Sequence, residues 1–120
     1  MLNLDTHIVV LLLAGDLTPA EFRCLAGQEL AISDIVLWEI AKLNDLGRID
    51  MNLDDALFRS FLRALTVIPI TPEIARASTQ LDFSSDPADE IIAATSIVEK
   101  MPLLTRDRKI RRSRVVPLAL

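Results

Sequence analysis

The stretch "LNLDTHIVVLLLAG", Leu2 to Gly15, reads as a short strand over "LNLD" that passes directly into a helix from about Thr6 to Ala14. The same change recurs down the chain. "TPAEF" opens a second helix, with Thr18 as cap, Pro19 at the first helical position and Glu21 at the third. "LAIS" is the next strand-like run, a long helix follows from about Ile35 to Leu46 and stops at Gly47, and another spans roughly Asp54 to Ala64. "TVIPI" is again strand-like, and "TPEIARAST" repeats the Thr-Pro helix start. A helix after Asp86, the run "PLLT", a short basic helix and a final "VVPLA" complete the order. This β-α alternation predicts an α/β domain with a mainly parallel central sheet covered by helices on both faces.

Ligands of such sheets sit outside the carboxyl ends of the strands, where the strand order reverses. That rule singles out Asp5, which ends the first strand, and Asp107, which lies just beyond "LLT". It predicts that the two meet at one sheet edge although they lie far apart in the chain.

The 120 residues are expected to form one domain, 1–120, and 51% hydrophobic residues supply enough apolar material for its core. The apolar run Ile8 to Ala14 is too short to cross a bilayer, and Asp5 before it does not suit a signal peptide, so the expectation is a soluble, cytoplasmic protein with no membrane partner. One cysteine, Cys24, and one histidine, His7, leave no disulfide and no zinc set. Cys24 reads as a small packing residue and His7 as a rim residue. The net charge is -4, but "RDRKIRRSR", residues 106 to 114, holds six of the thirteen Lys and Arg against one acid. The remainder of the chain is strongly acidic. Such segregation suits cations at one place and phosphates at another, or a solvated basic helix.

In the long helix Ile35, Val36, Ile40, Leu43 and Leu46 form one stripe, and Glu39 falls inside it. Buried glutamate is rare unless it is paired or holds a cation, so Glu39 is either bonded to an arginine, placed at the wet end of the stripe, or a ligand. Trp38 is expected in the core. In "SSDPADEIIAATS", Ser84 to Ser96, Asp86 reads as an N-cap before Pro87, with Asp89 completing a capping-box pattern. If Asp5, Glu39, Asp89 and Asp107 converge, their mutual repulsion calls for a divalent cation, and hard oxygen donors suit Mg²⁺ or Mn²⁺. Asp86 and Asp89 then serve both the helix start and the metal. Such a site suits phosphodiester hydrolysis. Arg106, Arg108 and Lys109 lie beside Asp107 in the chain, so at least one is expected to reach a flanking phosphate, with Arg111, Arg112 and Arg114 farther away.

Four segments in order, "LNLDTHIVVLLLAGD", "AISDIVLWEIAKLNDLGRI", "SDPADEIIAATS" and "PLLTRDRKI", resemble the PIN-domain ribonucleases, particularly VapC-type toxins of type II toxin-antitoxin pairs. The resemblance covers nearly the whole chain. It implies a three-layer α/β/α PIN-like fold and an endoribonuclease whose metal-binding acids are Asp5, Glu39, Asp89 and Asp107. Asp86 is an additional acid, and Thr6, Ser33 and Thr105 are supporting polar residues. It further implies an RNA substrate, a small VapB-like antitoxin in the active-site groove, and a homodimer. One departure is Glu90, where many relatives carry arginine, a change bearing on the field near the phosphate. A dehalogenase-type phosphatase is disfavoured because His7 stands where a second aspartate is needed, and a receiver domain because "LLT" is followed by Arg106. The remaining alternative is a catalytically inactive PIN fold that binds RNA or protein.

Overall fold

The computed structural model describes residues 1–120. In chain order the elements are β1 (Leu2–Leu4), α1 (Thr6–Ala14), α2 (Pro19–Leu25), β2 (Leu30–Ser33), α3 (Ile35–Asp45) and α4 (Ala56–Arg63). They continue as β3 (Thr66–Ile68), α5 (Pro72–Ala77), α6 (Pro87–Glu99), β4 (Leu103–Leu104) and α7 (Arg108–Arg111). The four strands form one sheet in the order β3-β2-β1-β4, and every pairing is parallel. The expected α/β alternation is therefore the architecture found. No helix is long and apolar enough to cross a membrane.

Side chains of successive strand residues point to opposite faces of the sheet, and the packing follows that period. Leu2, Leu4 and Ile32 join Ile8 and Val9 of α1, Leu25 of α2 and Phe58 of α4 in the larger apolar core. Ala31 and Ile68 pack with Ile74 of α5, Ala94 of α6 and Met101 in a second cluster. Asn3 also faces α6, where its amide donates to Ile92 O at 3.3 Å and Ser96 Oγ at 2.9 Å.

Local sequence sets the helix starts. Thr18 and Glu21 close a full capping box on α2, and Thr71 Oγ1 accepts the Ile74 N–H ahead of Pro72. Gly15 ends α1 at φ 76°, in the left-handed region where a Cβ would be strained.

Several sequence expectations are corrected. Trp38 is 55% exposed rather than core, with the Lys42 ammonium 5.9 Å from its ring centre. It lies one residue from Glu39, on an exposed flank of α3. Leu46 is the C-cap of α3, beyond its last turn, and is exposed rather than part of the buried stripe. The Asp86 side chain makes no cap hydrogen bond. Instead Ser85 is held from α6, its Oγ donating to Asp89 Oδ2 at 2.9 Å and its N–H to Glu90 Oε2 at 3.3 Å. The final run "VVPLA" contributes a single bridge, Leu118 beside Leu103.

Candidate active site at the β1 and β4 strand ends

Because β2 and β4 lie on opposite sides of β1, the strand order reverses between β1 and β4. Register pairs Asn3 with Leu103 and Leu4 with Leu104, so the next residues, Asp5 and Thr105, emerge side by side at the carboxyl edge. Asp5 is only 1% exposed, yet its carboxylate is fully engaged. Oδ1 accepts the Thr6 N–H at 2.8 Å at the start of α1, and Oδ2 accepts the Thr105 hydroxyl at 2.5 Å. His7 Nδ1 stands 3.8 Å from the same Oδ2, while His7 Nε2 accepts the Arg106 N–H at 3.0 Å. Accepting that bond requires a bare Nε2, which leaves the ring proton of the neutral imidazole on Nδ1, facing Asp5.

Thr105 Oγ1 also accepts the Asp107 N–H at 3.0 Å. Asp107 in turn caps α7, its Oδ1 accepting from Lys109 N at 2.9 Å and Ile110 N at 3.1 Å. On the other side, the Thr6 hydroxyl donates to Glu39 Oε1. Thr6 and Thr105 thus link the carboxylates of Glu39 and Asp5 and the backbone N–H of Asp107 into one hydrogen-bonded series.

Electrostatics extends this group to α6. Glu39 is held above the usual carboxylate range chiefly by burial, opposed by the Thr6 hydrogen bond and reinforced by the charges of Asp89, Asp5 and Asp86. Asp89 is raised in the same way, by burial first, against the Ser85 hydrogen bond and with Asp5, Asp107 and Asp86 adding repulsion. The charges of Asp5 and Asp86 thus act on both Glu39 and Asp89, and that of Asp107 acts on Asp89. Glu90 points back to the Ser85 N–H and is not among the charges that raise Glu39 or Asp89. Ser33 is buried at the end of β2, its Oγ accepting the Ile35 N–H at 3.3 Å as α3 begins.

The basic residues divide. The guanidinium of Arg106, expected at a phosphate, is taken by Glu21: Nε donates to Oε2 at 2.7 Å and Nη2 to Oε1 at 2.6 Å. Arg108 is exposed at the first position of α7. Lys109 Nζ donates to Ser84 O at 3.2 Å, two residues before Asp86. Arg111, expected to lie away from the site, turns inward and donates to Thr105 O at 3.3 Å. Glu21 was legible only as a capping residue, although it shares a helical stripe with Leu25, and the stripe test that exposed Glu39 applies to it equally.

No three of these acids stand close enough to make a ready-made metal cage. The donor set nonetheless fits a hard divalent cation that keeps several of its waters, because five carboxylates share one edge and two of them resist ionisation there.

The PIN domain family model matches residues 3–115. Ribonuclease VapC22 of Mycobacterium tuberculosis is 33% identical over 89 residues, covering 72% of this chain and 68% of that protein. Among solved structures, VapBC2 from Rickettsia felis bound to a DNA fragment from its promoter superposes with a TM-score of 0.74 at 21% identity, covering 98% of this chain and 97% of the other. A toxin-antitoxin complex from Klebsiella pneumoniae gives 0.69 at 20% identity, covering 100% and 98%. At those identities the two structures speak to the fold, while the match of the family model spans nearly the whole sequence. The strand order, the acidic edge and that match together place the chain in the PIN-domain family.

Proposed function

We propose that the protein is a Mg²⁺- or Mn²⁺-dependent endoribonuclease toxin, restrained by an antitoxin partner and acting in the cytoplasm. One observation carries this reading: Asp5, Glu39, Asp86, Asp89 and Asp107 come together where the strand order reverses, with Glu39 and Asp89 each raised first by burial and then by neighbouring carboxylates. An arrangement so strained without a cation is well suited to one, and a similar chain is named a ribonuclease. These five acids would hold the metal, which supplies charge neutralisation, polarisation of the phosphate and a more acidic bound water.

The chain's own groups do the rest. Thr6 orients Glu39, Thr105 orients Asp5, and Ser85 orients Asp89, so that each carboxylate presents a fixed oxygen. Arg108 and Lys109, at the start of α7, offer positive charge to phosphates on either side of the scissile bond without reading sequence. Arg106 is not assigned that role, because the Nε/Nη2 edge of its guanidinium is held by Glu21.

The antitoxin is supported by the Klebsiella pneumoniae relative in fold, itself a toxin-antitoxin complex. It is supported also by a 360 Å³ groove beside α1 and α4, lined by none of the five site acids and so distinct from the expected active-site groove, where Val10, Leu13, Met51, Leu57 and Phe58 lie with Asp50 and Asp55. An amphipathic helix with basic flanks complements that lining. A homodimer belongs to the same reading.

Asp89→Asn tests the proposal better than a change at Asp5, since Asp5 also starts α1 and anchors Thr105. Wild-type protein should cleave RNA with Mn²⁺ and stop on chelation, and Asp89→Asn should retain its fold but neither cleave nor gain thermal stability from Mn²⁺. Full cleavage by purified Asp89→Asn, with contaminating nuclease excluded, would remove the acidic edge from the mechanism.

A further inference from the structure

Glu21 is only 5% exposed, and its carboxylate accepts three hydrogen bonds. A capping-box glutamate needs only one of them, from Thr18 N at 2.9 Å. The other two come from Arg106, and burying the Glu21 carboxylate beneath this half-exposed partner costs desolvation that a surface cap avoids. Its place explains the arrangement. Arg106 stands between Thr105, whose hydroxyl holds Asp5, and Asp107, which caps α7. The backbone of residue 106 is bonded by His7 of α1 and its side chain by Glu21 of α2.

We propose that Glu21 and Arg106 are positioning residues: their forked ion pair clamps the turn 105–107, keeping the Thr105 hydroxyl on Asp5 and Asp107 at the acidic edge. A bidentate fork fixes the guanidinium plane and hence the backbone that carries it, which a point charge does not. Neither residue touches substrate. The pair is neutral as a unit, so it stiffens the strand end without adding net charge beside the acids. Its consequence for rate rests on the nuclease reading above, whereas its consequence for the turn does not.

The test uses the full chain as Glu21→Gln, Arg106→Lys and the double variant Glu21→Gln/Arg106→Gln, which leaves no buried charge unpaired. Hydrogen exchange is followed at the Arg106, Asp107, Lys109 and Ile110 amides, whose acceptors are His7 Nε2, Thr105 Oγ1 and Asp107 Oδ1. All three variants should exchange faster at these four amides, with the Ile92 and Ala93 amides of α6 unchanged. Mn²⁺-stimulated cleavage should fall roughly 10- to 100-fold in kcat with KM kept, the scale of losing an outer support of a metal site. Arg106→Lys should not rescue it. RNA binding by the double variant, in an Asp89→Asn background, should keep its salt dependence. Unchanged exchange at the four amides, or faster exchange everywhere with kcat intact, overturns the proposal and leaves an ordinary stabilising pair. A slope of log affinity against log salt lowered by ~0.7 to 0.9 overturns it in favour of a phosphate contact at Arg106. If the wild-type protein cleaves no RNA, the nuclease reading fails and the exchange data alone decide the clamp.

Discussion

Glu21, in the first turn of α2, and Glu39, in the middle of α3, are both carboxylates turned inward from their helices, and their surroundings drive them in opposite directions. Glu21 meets a guanidinium, and the hydrogen bonds from Arg106, working against burial, hold its pKa down at about 2. Glu39 meets other acids, and burial together with their charge raises it. A buried acid is therefore not by itself a sign of chemistry. What distinguishes a structural carboxylate from a candidate ligand is whether its charge is already answered within the chain.

The largest expected effect breaks the pair on the side of Glu39. Glu39→Gln should lower Mn²⁺-dependent cleavage by roughly 100-fold or more, the scale of losing a group that acts on the reacting centre. Without metal its melting temperature should hold or rise, because a repelled charge is gone, and the upshift by Mn²⁺ should shrink. An equal fall in stability with and without Mn²⁺ would make Glu39 a second Glu21.

Next in size is acid sensitivity, where the two glutamates carry opposite signs. The folded pKa of Glu21 lies below the ordinary value of 4.5, so its contribution is present above 4.5 and is lost as pH falls towards about 2. The folded pKa of Glu39 is raised, so in metal-free protein it removes stability as pH rises from 4.5 through its elevated value. Urea melts across this range should give a shallower acid-side slope for Glu21→Gln and a shallower alkaline-side decline for Glu39→Gln. Near neutral pH, Glu21→Gln should cost about 1–3 kcal/mol, below the range for a fully buried pair because the Arg106 side chain is 42% exposed. Identical pH profiles for the two variants would erase the distinction.

The smallest effect concerns the cations that are not paired. In a cleavage-dead background, Arg108→Ala or Lys109→Ala should each lower the slope of log RNA affinity against log salt by ~0.7 to 0.9, uniformly across RNA sequences. If both slopes stay unchanged, α7 is a solvated or partner-facing surface.

The sequence made the strand and helix order readable because each boundary carries its own chemistry: Thr18-Pro19 and Thr71-Pro72 start helices, and Gly15 and Gly47 end them. Glu39 was readable because a charge inside an apolar stripe is an anomaly whatever the fold. The remaining features depend on partners distant in the chain. Arg106 is adjacent to Asp107, yet its side chain is captured by a residue 85 positions away. Asp86 is the N-cap of α6 by position, but Asp89 and Glu90 both bond Ser85, and the Asp86 side chain makes no bond to the helix start. Trp38 was misread because helical spacing gives the angle between residues and not which flank of α3 is buried.

The register that sets Leu4 beside Leu104 also places the working edge late in biosynthesis. Asp5 leaves the ribosome 100 residues ahead of its bonded neighbour Thr105, and β1 has an open edge until β4 arrives. A nascent or prematurely ended chain can bury much of α1 and β2 and still lack Thr105 and Asp107. The acidic edge is thereby incomplete until Thr105 and Asp107 have been made, so products of the message that stop before them carry no assembled site.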